Sequence, residues 1–156
     1  MFKKNKILNY EQIIFSFSEF KKELIDLQND GYNVYIGADS QIVKDKVSVV
    51  ACVCLYKQSK GGRVFYVKER IDKSKFPTTR MRLLYEAYKS IEVAMEIEEF
   101  VTEDLTIHLD IGSDIMRSLS AKYKKEAESI VLSMGYNCEI KPDSWASSVA
   151  DRFTKT

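Results

Sequence analysis

Between Ser16 and Asp30 the apolar residues Phe20, Leu24 and Leu27 recur every three to four positions among charged and polar ones. This spacing predicts a leading helix, with Ser16 or Ser18 available to cap its start and Gly31 to close its end. The period then shortens to two. Three runs rich in Val, Ile, Tyr and Phe follow at 34–43, 46–57 and 63–71, parted by Lys44-Asp45 and by the turn-prone residues 59–62. Two successive hairpins predict an antiparallel meander. Its middle run is apolar at odd and even positions alike, which suits the centre of a sheet with both faces covered. In the first run Val34, Ile36 and Ala38 share one face, and Tyr35, Gly37, Asp39 and Gln41 the other.

After Pro77 the period lengthens to about 3.6, and 78–101 reads as a long helix with Leu84, Tyr88, Ile91 and Met95 on its packing face. A strand is expected at 104–112, a helix at 117–134 closed by Gly135, a short strand at 137–142 and a last helix from Ser144. The order is a helix followed by βββαβαβα. It predicts an α/β fold whose mixed five-stranded sheet carries helices on its faces, the later strands being joined by right-handed crossovers. This is the order of the ribonuclease H-like fold, though other α/β folds admit it too. One domain spanning 1–156 is expected, with 1–31 as an N-terminal helical extension and no repeat or flexible linker.

Composition narrows the class. The 156 residues are 45% hydrophobic, 12% aromatic and 30% charged, with 6 Gly and 2 Pro, which suits a globular rather than a disordered chain. Polar residues break every apolar run before the ~18 residues needed to span a bilayer. The basic opening resembles a signal peptide, but Asn9, Glu11 and Gln12 interrupt its apolar region, so a cytoplasmic protein is expected. A net charge of +1 supplies no global field toward nucleic acid, and any such surface must be a local patch. Candidates for it are the basic residues of 67–75, Arg80, Arg82 and those of 117–125, with tyrosines close by; a solvated face is the bland reading. Cys52 and Cys54 lie in an apolar segment as expected buried thiols, away from any metal-knuckle spacing. No GxxxxGK[ST] loop is present, which disfavours a nucleotide-dependent phosphotransferase.

Four carboxylates stand out. Asp39 lies mid-strand between apolar neighbours, where a carboxylate needs a cation or a donor network; a turn hydrogen bond is the structural alternative. Asp110 sits at the C-terminal end of a strand, where open α/β sheets place their sites, and is preferred to Asp114 four residues on. Glu86 borders the packing side of the long helix near Ala87, Ser90 and Ala94, with an ion pair to Arg82 as the alternative. Glu92, Glu96 and Glu99 are expected on its solvated side. Asp151 lies in the last helix opposite Trp145, Val149 and Phe153, while Asp143 is placed to cap that helix.

Four converging carboxylates repel one another unless cations neutralise them, and oxygen-only ligands select hard ions such as Mg²⁺ or Mn²⁺ over zinc. Two such ions ~4 Å apart would orient an attacking water and stabilise a leaving 3′-oxygen, which is phosphodiester hydrolysis without a protein nucleophile. His108, on the strand face of Asp110, is a candidate for leaving-group protonation or product release, or else a satisfied strand residue. Ser40, Gln41 and Ser113 adjoin the candidate ligands and are placed to contact phosphate or position water.

The segments VYIGADSQ (34–41), HLDIG (108–112) and KPDSWASSVADRFTK (141–155) resemble the YkuK-type family of ribonuclease H-like proteins. The resemblance covers most of the chain from Tyr35. It implies Asp39 as the first-strand Asp, Glu86 as the first-helix Glu, Asp110 as the fourth-strand Asp and Asp151 as the last-helix Asp of a two-metal site. It also implies a metal-dependent nuclease acting on RNA, an RNA/DNA hybrid or structured DNA, with no membrane partner. The rival is a non-catalytic nucleic-acid- or protein-binding module on the same fold. Retention of all four carboxylates leans toward the enzyme. The sequence leaves the oligomeric state open.

Overall fold

A computed structural model describes residues 1–102, 105–110 and 123–155. Two short strands, β1 (Ile7–Asn9) and β2 (Ile14–Phe15), precede helix α1 (Phe17–Asn29). The meander follows as β3 (Asn33–Val43), β4 (Lys46–Lys57) and β5 (Gly61–Asp72). Then come α2 (Thr79–Ile97), β6 (Thr106–His108), α3 (Lys124–Ser133), β7 (Asn137–Glu139) and α4 (Ala146–Asp151). The sheet order is β2-β1-β5-β4-β3-β6-β7. β6 runs parallel to β3 and β7 parallel to β6, while the other pairs are antiparallel. The fold is mixed α/β as expected, with seven strands among the described residues in place of five.

The extra pair corrects the expected helical extension. Asn9 Oδ1 accepts the backbone N–H groups of Glu11 and Ile13 at 3.0 and 2.9 Å, and Gln12 takes φ 69°, so a tight turn folds β2 back on β1. β1 then extends the sheet beyond β5. Helix α1 begins where the sequence places it. Ser16 and Glu19 form a reciprocal capping box, and Gly31 after the helix adopts φ 92°, a conformation that glycine takes without strain.

Strand β4 sorts its side chains by parity. Val47, Val49, Ala51, Val53 and Leu55 join the larger core beneath α1 and α2, and Val50, Cys52 and Cys54 join a smaller one beneath α4. A central strand buried on both faces explains its unbroken apolar run. On α2 the packing face differs from expectation. Ala87, Ser90, Ile91, Val93, Ala94 and Ile97 are buried, whereas Tyr88 and Met95 are exposed. Ala87, Ser90 and Ala94 let the helix lie close to the sheet, and the bulky Tyr88 and Met95 turn outward. Glu96, expected on the solvated side, accepts the backbone N–H groups of Phe2 and Lys3 at 2.9 and 2.7 Å.

On the opposite face α4 lies against β3 at Gly37. A Cβ there would stand 2.4 Å from the carbonyl carbon of Ala146 and 2.5 Å from Ser147 N, so only a residue without a side chain permits the approach. Gly37→Ala is therefore expected to push α4 off the sheet and cost about 1–3 kcal/mol of stability, read as a lowered urea midpoint. An unchanged midpoint would contradict the contact.

Candidate functional site

The parallel ladder sets Gly37 beside His108, and Asp110, two residues beyond its end, lies near enough for its charge to act on Asp39. β6 ends at His108, so β3 runs on past its neighbour. Asp39 pairs with Val50 of the α4-side core, and Ser40 with Val49 of the α2-side core, so adjacent residues of one strand serve opposite faces. Asp39 and Glu86 are 6% and 7% exposed. The Ser40 hydroxyl donates to Glu86 Oε1 at 2.5 Å, and Gln41 Nε2 donates to Asp151 Oδ1 at 2.9 Å. Thus β3 holds one carboxylate itself and fastens one from each flanking helix.

The acids act on one another. Burial, followed by Asp151 as hydrogen-bond partner and charge and then by the charge of Asp110, lifts Asp39 to about 7 against the backbone N–H of Ser40. Burial and then Asp39 lift Glu86 to about 8, opposed by the Ser40 hydroxyl and Arg82, with Asp110 adding to the rise. Arg82 donates to the Ser40 carbonyl at 3.3 Å. Asp39, Glu86, Asp110 and Asp151 therefore share one electrostatic neighbourhood, with Asp151 exposed at its rim.

His108 follows the second of its two expected readings, that of a satisfied strand residue. It is 2% exposed, and its Nδ1 accepts the backbone N–H groups of Trp145 and Ala146 at 3.0 and 3.1 Å. Burial holds its pKa down, at about 4, so the ring is neutral with its proton on Nε2. It caps α4 instead of facing the acids as a proton donor. The expected cap, Asp143, makes no such bond because the strand histidine already meets those amides, and Asp143 is exposed. The sequence offers no spacing signal for a cap supplied 37 residues upstream.

Lys141 is a neighbour that sequence reasoning missed. Its Nζ lies 2.5 Å from Asp110 Oδ1, at an angle outside hydrogen-bond geometry. Of the expected basic rim, Arg80 is tied to Glu126, and Lys68 Nζ donates to the Phe153 carbonyl at 2.9 Å. Ser113, Asp114 and residues 117–122 of the rim lie outside the described residues.

The donor chemistry fits a hard divalent cation. Oxygens dominate the group, and Asp39 Oδ2 is buried without a hydrogen-bond partner. Burial is the larger cause of the raised pKa values, and the part that comes from neighbouring carboxylates is a repulsion that a bound cation would relieve. Among the described residues, however, no three His, Cys, Asp or Glu side chains are drawn into a closed ligand cluster.

Two predictions follow from the buried groups. Folded pKa values above the unfolded ones mean that the native state binds more protons, so stability from Asp39 and Glu86 is fully present below about pH 4 and lost as pH rises through about 7 to 8. In chelator, unfolding free energy should fall by of order 2 kcal/mol between pH 6.5 and 8.5, and Asp39→Asn should flatten the slope. His108 titrates with the opposite sign: its depressed pKa adds stability that is lost only as pH falls from about 6.5 toward about 4, so it cannot produce the alkaline decline. His108→Ala, which orphans the two amides of α4, should cost about 1–3 kcal/mol and raise hydrogen exchange at Trp145 and Ala146.

Comparison with known proteins bears on the whole arrangement. The chain is 29% identical over 141 residues to the uncharacterized protein YkuK of Bacillus subtilis (strain 168), the match covering 80% of each chain. A family model described as ribonuclease H-like matches residues 16–155, which takes in every strand of the meander, α2, β6 and α4. With that match over most of its length and a mixed sheet in the corresponding order, the chain belongs to the ribonuclease H-like family.

Proposed function

We propose that the protein is a metal-dependent nuclease that hydrolyses phosphodiester bonds in nucleic acid at Asp39, Glu86, Asp110 and Asp151. The observation that carries the reading is the gathering of these acids at one end of β6, where burial and mutual repulsion raise Asp39 and Glu86 to about 7 and 8. Family membership supports it. The reaction is hydrolysis: a water oxygen bonds to phosphorus, the bond to the bridging ester oxygen breaks, and phosphate and hydroxyl ends remain. Two Mg²⁺ or Mn²⁺ ions held by the four carboxylates would supply charge neutralisation, an activated water and stabilisation of the departing oxygen.

The remaining residues prepare this site. Ser40 orients Glu86 and Gln41 orients Asp151, each through a donated hydrogen bond to a carboxylate oxygen. Gly37 and His108 together fix the helix that carries Asp151, one by allowing contact and the other by holding its N-terminal amides. Lys141 places an ammonium at Asp110, where it offsets negative charge and can meet an entering phosphate.

End-labelled single strands, duplexes, an RNA/DNA hybrid and a four-way junction, incubated with Mg²⁺ or Mn²⁺, provide the test. Cleavage is expected for at least one of them, and Asp110→Asn should lower its rate by at least about a hundredfold. No cleavage of any substrate, with metal binding unchanged by the substitution, would leave a non-catalytic binding module.

A further inference from the structure

On the α4 face a groove of about 500 Å³ lies between the N-terminal hairpin, the ends of β4 and β5, and α4. Its size is that of a small-molecule cleft, and its lining is unusually aromatic. Tyr10 meets Phe153 edge-on at 6.4 Å, and Tyr56 meets Trp145 at 5.9 Å. Tyr10 and Tyr56 are 68% and 42% exposed, although large aromatic side chains ordinarily find cover. Arg63 and Arg152 also line the groove, and neither is ion-paired among the described residues; Glu11 is the one acid on its lining. Exposed rings beside guanidinium groups match the chemistry of a nucleic-acid strand, which offers flat bases and a chain of phosphates.

We propose that this groove binds single-stranded nucleic acid, its bases stacking on Tyr10, Tyr56 and Trp145 and its phosphates meeting Arg63 and Arg152. Position favours that occupant. Arg152 directly follows Asp151, so the groove begins where the carboxylate site ends. Trp145 packs on Tyr35, four residues of strand and roughly 13 Å from Asp39, a span of two or three nucleotides. A closed duplex hides its base faces in the stack and cannot use the rings, so the site selects an unpaired segment. Tyr10 belongs to the hairpin that precedes the family-matched residues 16–155.

The inference deepens the nuclease reading by naming a substrate class, yet it can be tested apart from it. Trp145 is the one tryptophan of the chain and reports on its own groove. In chelator, where no hydrolysis proceeds, titration with dodecamers of deoxythymidine and of uridine should quench its fluorescence, and a blunt duplex of equal length should quench it far less. Tyr56→Ala and Arg152→Ala should each weaken single-strand binding about tenfold, while Tyr56→Phe retains it and circular dichroism verifies folding. Quenching by either dodecamer supports the groove even if no substrate is cleaved; which one binds tighter separates RNA from DNA. Equal quenching by duplex, binding indifferent to both alanine variants, or cleavage of single strands without quenching overturns it.

Discussion

The direct contact between β3 and α4 at Gly37 is the constraint on which the rest of the site depends. A helix ordinarily stands about 10 Å from a sheet because side chains fill the gap, and here one position is emptied to let backbone meet backbone. The smaller core of Val50, Cys52, Tyr66, Ala146 and Ala150 closes around that contact. His108 then satisfies the helix amides that the approach would otherwise bury unpaired.

What this arrangement creates is electrostatically unfavourable for the protein alone. Two acids are taken largely out of water and placed within reach of two more, so each resists losing its proton at neutral pH. Hydrogen bonds from Ser40 and Gln41 compensate only in part, and the ammonium of Lys141 serves one acid at the edge. A fold that spends stability in one spot in this way concentrates it elsewhere, here in the continuous core under α1 and α2.

Much of this was legible from the chain. The alternating runs gave the meander, the unbroken apolar run of β4 gave its central place, and Asp39 was conspicuous because a buried carboxylate contradicts its surroundings. Glu86 was ambiguous on a helical wheel because the decision rests on Ser40, a partner 46 residues away. The hairpin at 7–15 carries no periodic signal, since strands of three and two residues are too short to show one. Periodicity alone puts Tyr88 and Met95 on the packing face of α2 because hydrophobicity ranks large residues above Ala and Ser, whereas the close approach to the sheet is made at Ala87, Ser90 and Ala94. His108 and Lys141 depend on loop geometry that no local spacing encodes.

The lengths of the strands carry one more consequence. β4 and β5 have twelve residues each, but the sheet tapers to a two-residue strand at one border and a three-residue strand at the other. A long apolar strand left at a border would offer its open ladder to any similar strand from another molecule. By keeping the most adhesive sequence in the middle and ending on fragments too short to template a partner, the sheet protects itself from growing into fibres.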